Sequence, residues 1–294
     1  MKNKELIAFI GPMCVGKSTI SKIVGKKMNL PVISFDLLVF FANCMSRYEL
    51  EKIPSFNDWR NIQLVNFKSS LNGAEYQQRK EQVEEEIKNL YNTLVQYEKI
   101  CHLSTLTTEA CAMEVKKIFS NPYTFKDICF SHIVCELDFL DAVLNKVKQP
   151  VIFDLSGGMG SIFTPDSDLN IGGEPFSAKR TFEDKQDKIL KRFNKIVYIE
   201  PGRGFKERSH NKKVNSANKF FIKSKKSFMK YADIMITTND LFTDSANEVF
   251  LAERNDYDLN QKEKVETLLN DPEVNHIADE IVDGIQDIDK AREL

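Results

Sequence analysis

The chain has no apolar run that approaches the roughly 20 residues of a transmembrane helix. The apolar stretch near residue 10 is shorter than a secretory signal and has the pattern of a strand, so we expect a cytoplasmic protein without a membrane partner. The six cysteines form no CxxC pair and have no zinc-ligand spacing with the four histidines, which predicts free thiols. No repeat or low-complexity segment interrupts the 294 residues, and 42% apolar content is that of a globular protein.

The net charge of −2 conceals a strong asymmetry along the chain. Residues 203–230 carry ten Lys or Arg and one acid, whereas residues 231–294 carry seventeen acids and five Lys or Arg. We interpret the basic block 203–230 as a lid that closes on phosphates. A nucleic-acid surface and a solvated face are the alternatives, and the acidic end argues against a nucleic-acid partner.

The most specific motif is the phosphate loop, residues 11–18, which fits the phosphate-binding pattern G-x-x-x-x-G-K-[ST]. An apolar stretch precedes it and an amphipathic helical stretch follows it, so backbone N–H groups and a positive helix end would face an anion. Lys17 would reach the β- and γ-phosphates of ATP, and the Ser18 hydroxyl would ligate Mg²⁺. The predicted nucleotide-binding residues are Gly11, Pro12, Met13, Cys14, Val15, Gly16, Lys17, Ser18 and Thr19. A chance match, or a loop kept without catalysis, is the alternative.

Strand and helix patterns alternate along the chain, which predicts an α/β fold with a mainly parallel five-stranded sheet covered on both sides. The first strand is Leu6–Ile10, and later strands are expected at 31–35, 151–154, 196–199 and 234–236. Helices are expected at 37–49, 74–100, 133–147 and 274–286. We expect one domain over 1–294, in which 40–148 forms a mostly helical insertion.

Two predicted strands end in a carboxylate, which places Asp36 and Asp154 at the sheet edge where open α/β folds bind ligands. Asp36 is predicted to orient the acceptor hydroxyl and to accept its proton, and a helix cap is the alternative. Asp154 follows an apolar strand, like a Walker B carboxylate, and is predicted to hold the metal. Its alternative role is to cap the following turn.

In four blocks, taken in order, the chain resembles the shikimate kinase family of nucleoside-monophosphate-kinase-like P-loop kinases. The blocks are the phosphate loop with its strand and the segment to Asp36, then 151–158, then 196–208, then 231–238. The resemblance implies a three-layer α/β/α kinase that moves the γ-phosphate of ATP to a hydroxyl of a small molecule. Ser34 stands where many members have a second Asp, and the segment between Asp36 and Val151 is longer than in compact members.

The resemblance also implies roles for individual side chains. Gly157 and Gly158 would hold the acceptor in a glycine turn, and Arg60 would clamp an acceptor carboxylate. Arg203 and Arg208 would approach the phosphates from the lid, so the predicted catalytic set is Lys17, Asp36, Arg203 and Arg208.

Other functions also fit this sequence. One is another P-loop transferase, such as a nucleotide kinase or a tRNA prenyltransferase. The other is a nucleotide-binding regulatory or effector protein whose 40–148 segment binds a protein partner.

Overall fold

The computed structural model describes residues 4–11, 15–70, 73–108, 130–155, 184–200, 229–237 and 270–293. Within these ranges, no helix has both the length and the apolar content needed to cross a membrane. The described residues form an α/β structure around one sheet.

The sheet has five parallel strands in the order β2-β3-β1-β4-β5. Their bounds are β1 Leu6–Ile10, β2 Val32–Ser34, β3 Val151–Asp154, β4 Lys195–Glu200 and β5 Ile234–Thr237. β1, β3 and β4 are almost wholly buried, because helices cover both faces of the sheet centre. The expected α/β class and five-stranded parallel sheet are confirmed.

The helices that the structure describes are α1 (Lys17–Met28), α2 (Phe35–Arg47), α3 (Phe56–Ser70), α4 (Gly73–Gln78), α5 (Lys80–Cys101), α6 (Leu103–Thr108), α7 (Phe130–Lys146) and α8 (Pro272–Glu293). Residues 184–190 are also helical. α1 ends at Asn29, whose left-handed backbone (φ 54°) turns the chain toward β2.

Side chains of β1 alternate between two apolar cores, one on each face of the sheet. Leu6, Ala8 and Ile10 belong to the core that contains residues of α2, α5 and α7. Ile7 and Phe9 belong to the core that contains residues of α1 and α8. The helices of 40–148 therefore form part of the layer that covers the first face.

Several predicted boundaries were wrong; the largest differences are at the junction of β2 and α2, at Arg79, and at the end of α8, which runs to Glu293 and not to residue 286. β2 ends at Ser34, and α2 begins at Phe35, because the Ser34 side chain accepts the Leu37 N–H and caps the helix. Asp36 therefore lies in the first turn of α2, not at the end of a strand. The helix expected over 74–100 is interrupted at Arg79, which separates α4 from α5.

A buried lysine fastens α8 to the amino-terminal edge of the sheet. Lys195, at the start of β4, is only 1% exposed. Its ammonium contacts the Glu5 carboxylate and lies 2.5 Å from Asp289 of α8. At the same edge, Arg292 donates to the Asn194 carbonyl over 3.0 Å.

Candidate phosphate-binding site

β1 ends, and α1 begins, where the direction of the chain connections changes. β1 is the central strand, and α1 leads from it on one face toward the edge strand β2. The described helical residues between β2 and β4 pack on the opposite face. In open α/β sheets, such a switch point forms a crevice at the carboxyl ends of the strands, where ligands bind.

Two glycines of the motif have backbone conformations or contacts that a side chain would disturb. Gly11 is buried with φ 146°, and a Cβ there would lie 2.4 Å from the Ile199 carbonyl oxygen of β4. Gly16 has φ 93° immediately before α1. The first glycine lets β1 pass close to β4, and the second starts the helix.

The amino-terminal end of α1 is suited to an anion. Gly16, its cap residue, makes no side-chain capping bond, and the first turn contains no acidic residue. Lys26 and Lys27 lie in the last turn. The first-turn N–H groups and the helix dipole thus favour negative charge at the end nearest the sheet.

Lys17 places a positive charge at a buried position. It lies in the first turn of α1 and is only 7% exposed. Its positive charge lowers the pKa of Asp154, a residue that is only 6% exposed. Burial raises the pKa of Asp154, and the charge of Lys17 opposes that rise without cancelling it.

A direct hydrogen bond joins the first turn of α1 to β3. Ser18 Oγ donates to Asp154 Oδ2 over 2.5 Å. The register explains the meeting, because Asp154 pairs with Phe9, near the end of β1, at the carboxyl edge of the sheet. The described contacts of Asp154 thus point to the phosphate loop.

The next strand brings Ser34 beside the same carboxylate. Ser34 is the register partner of Asp154, and it caps the helix whose first turn carries the exposed Asp36. The cap alternative for Asp36 was wrong, since Ser34 fills that position.

Tyr97, for which the sequence predicted no role, lies next to Ser34 at the junction of β2 and α2. The Ser34 backbone N–H donates to the hydroxyl of Tyr97, from α5, over 2.7 Å. Burial raises the pKa of Tyr97, and the Asp154 charge raises it further. The apolar stripe of Val83, Ile87 and Leu94 marks the buried side of α5 but does not indicate a polar role for Tyr97.

Arg60 is paired within the helical segment. Its guanidinium makes two hydrogen bonds to the Glu84 carboxylate, which joins α3 to α5. These contacts neither place Arg60 at the loop nor test its predicted role in clamping the acceptor.

Several predicted site residues fall outside the described ranges. They are Pro12, Met13 and Cys14 of the loop, Gly157 and Gly158 of the glycine turn, and Arg203 and Arg208 of the basic block 203–230. Their roles stay predictions.

The oxygen ligands at the site are those that Mg²⁺ prefers. Ser18 offers a hydroxyl and Asp154 a carboxylate. Among the described residues, no group of three or more His, Cys, Asp or Glu could hold a metal. Mg²⁺ commonly takes one or two carboxylates and completes its shell with water and phosphates, so this small set fits a metal that arrives with a nucleotide.

No protein-family model matches the chain, and comparisons with curated proteins and with solved structures give no significant match. The residues of the site and their geometry therefore carry the functional assignment proposed below.

Proposed function

We propose that this protein is an ATP- and Mg²⁺-dependent phosphotransferase that moves the γ-phosphate to a hydroxyl of a small molecule. The observation that carries the proposal is the 2.5 Å hydrogen bond from Ser18 to Asp154 beside buried Lys17. The Ser18 hydroxyl meets the Asp154 carboxylate at the amino-terminal end of α1, within range of the Lys17 charge, and each of the three groups has a function in phosphoryl transfer.

The buried charges support a ligand at this position. Asp154 bears a desolvation cost that Lys17 and Ser18 offset only in part, so its pKa stays raised. A divalent cation that enters with phosphates would stabilise this carboxylate as the charged form. The polar arrangement is thus better suited to the nucleotide-bound state than to the free protein.

Each residue has a distinct part in the proposed mechanism. Lys17 and the N–H groups of the first turn bind the phosphates and balance the charge that spreads over them during transfer. Ser18 and Asp154 would hold Mg²⁺, which supplies charge neutralisation when bound. Asp36, in the first turn of α2, orients the acceptor hydroxyl and accepts its proton.

The class of acceptor follows from the resemblance to shikimate kinases. That resemblance favours a small hydroxyl compound that carries a carboxylate. The predicted contacts to it from Gly157, Gly158 and the lid arginines are part of the proposal.

The test is Mg²⁺-dependent transfer from ATP to a panel of small hydroxyl compounds, in wild type, Ser18→Ala and Ser21→Ala. Ser21 lies on the same helix, but its hydroxyl donates to the Ser18 carbonyl over 3.2 Å, not to Asp154. We expect transfer to fall about 100-fold or more in Ser18→Ala and to persist in Ser21→Ala. Transfer that is equal in all three proteins contradicts the proposed site, and tight ATP binding without transfer to any compound favours a regulatory nucleotide-binding protein.

A further inference from the structure

We propose that Tyr97 is a positioning residue of the candidate site: its hydroxyl fixes the junction of β2 and α2, which pairs with Asp154 through Ser34, and thereby fixes the first turn of α2 that carries Asp36. The inference rests on the proposed function and assigns one residue of the helical segment 40–148 to it.

A chain of contacts leads from Tyr97 to the loop. The Tyr97 hydroxyl accepts the Ser34 N–H over 2.7 Å. Ser34 pairs in register with Asp154, and Asp154 accepts the Ser18 hydroxyl. Tyr97 of α5 is therefore connected, through Ser34, to Asp154, one of the two residues that would hold the metal.

The hydrogen bond occurs where the sheet itself offers no partner. Among the described strands, β2 is the edge of the sheet, because only β3 pairs with it. An edge strand leaves backbone groups on its outer side that need another partner. The Tyr97 hydroxyl satisfies the Ser34 N–H at the residue where the strand ends and the helix begins.

The ring of Tyr97 is fixed by the helix that it positions. Tyr97 is 2% exposed, and its ring meets Phe41 of α2 edge-on with centroids 5.7 Å apart. The hydroxyl thus contacts the residue that caps α2, and the ring contacts the body of α2. Two contacts to one helix restrict the direction of its first turn, where Asp36 lies.

The environment of the Tyr97 hydroxyl keeps it protonated. Burial and the nearby Asp154 charge both raise the pKa of Tyr97. At physiological pH the group is therefore a phenol that accepts a hydrogen bond, not a phenolate that would repel phosphates.

The test compares Tyr97→Phe with Tyr91→Phe. Tyr91 is also on α5, but its hydroxyl donates to the Pro54 carbonyl over 3.2 Å, away from Ser34. Each substitution removes one hydroxyl and keeps the ring. We expect Tyr97→Phe alone to speed hydrogen exchange of the Ser34 amide about tenfold or more, since one buried hydrogen bond is lost.

The kinetic part separates positioning from general stability. Tyr97→Phe should lower kcat by roughly tenfold and leave Mg·ATP affinity unchanged, whereas Tyr91→Phe should preserve both. In Asp36→Asn, the added Tyr97→Phe should cause little further loss of kcat, because both changes act through the same carboxylate. A full additional loss would show that Tyr97 does not act through Asp36.

The outcomes for Tyr97 and for the kinase activity are distinct. If wild type transfers no phosphate but Tyr97→Phe still releases the Ser34 amide, the proposed function fails and the positioning of α2 stands. If wild type transfers phosphate and Tyr97→Phe changes neither exchange nor kcat, the positioning role fails alone. Should Tyr97→Phe not fold, rapid exchange of the Ser34 amide in wild type would be enough to overturn the inference.

Discussion

Gly11, immediately after β1, lies too close to β4 for any side chain. A Cβ would lie 2.4 Å from the Ile199 carbonyl oxygen, and φ is 146°. We predict that Gly11→Ala lowers the free energy of unfolding by about 1–3 kcal/mol, the usual range for overpacking. Urea denaturation measures this loss. Gly73→Ala is the control and should show no such loss, because the described residues beyond its chain neighbours and its own helix place no atom within 4 Å of the added carbon.

Asp36 is predicted to act on the acceptor, not on the nucleotide. Asp36→Asn keeps the shape of the side chain but removes the charge that would accept a proton. We expect kcat to fall by about 10²-fold, within the range for loss of a general base, with Mg·ATP affinity retained. Steady-state kinetics and calorimetric titration measure the two quantities. Full kcat in Asp36→Asn would mean that Asp36 only contributes a favourable negative charge at the amino-terminal end of α2.

Asp154 should make the ligand-free fold less stable as its carboxyl ionises. Its folded-state pKa is raised, chiefly by burial, so the folded chain binds more protons than the unfolded chain between the ordinary and the raised value. The Asp154 contribution to stability therefore falls as pH rises through that window, which begins at about 4.

Asp154→Asn removes this pH dependence. Without nucleotide, the free energy of unfolding of Asp154→Asn relative to wild type should increase as pH rises from about 4, then become constant. Denaturation curves across pH measure the difference. Parallel curves for the two proteins would contradict a raised pKa at Asp154.

At the scale of elements, α8 is held to the sheet by a buried cation. Lys195 is 1% exposed, between Glu5 and Asp289. Removing both carboxylates with Glu5→Gln and Asp289→Asn leaves this charge without them and should cost about 3 kcal/mol. Lys195→Met removes the buried charge itself and leaves the Glu5 and Asp289 carboxylates partly exposed to water, so it should lower the free energy of unfolding by less. Thermal denaturation compares them.

An exposed pair on the same helix provides the control for α8. Lys290 and Asp287 are 71% and 74% exposed and 3.0 Å apart. Asp287→Asn should change stability by less than about 1 kcal/mol, because water screens such pairs. An equal effect of the buried and the exposed substitutions would show that burial of Lys195 does not matter.

Strands were predictable where apolar runs are short and end in a turn or a polar residue. Val151–Asp154 was predicted with its bounds, and the expected strands at 196–199 and 234–236 differ from β4 and β5 only at the ends. The start of α2 was misplaced because the apolar run through Phe35 hides the cap signal of Ser34. No Gly or Pro marks the break at Arg79 between α4 and α5.

The sequence was enough to identify Lys17, Ser18 and Asp154 as site residues, but not Tyr97. Lys17 and Ser18 belong to one motif, and Asp154 follows an apolar strand, so each could be identified within a few residues. Tyr97 is 63 residues from Ser34 along the chain. An aromatic residue on an apolar helix face is usually a core residue, and only the packing of α5 against α2 brings its hydroxyl to the strand end.

The candidate site depends on parts of the chain that are far apart in sequence. β1, α1 and β3 supply its phosphate side, while α2 and α5 supply the junction that carries Asp36. The helices of 40–148 share a core with the sheet. A ligand at the loop should therefore stabilise the fold as a unit.

A nucleotide site at this loop is tested most directly by the melting temperature of the full chain with and without Mg·ATP, in wild type, Lys17→Ala and Lys27→Ala. Lys27 lies on α1 as well, but in its last turn, where it pairs with Asp279. At a ligand concentration of about 100 Kd, binding stabilises a folded protein by about 2.7 kcal/mol. We predict a clear rise in wild type and Lys27→Ala and almost none in Lys17→Ala. A rise of the same size in Lys17→Ala, or no rise in wild type, would contradict a nucleotide site at this loop.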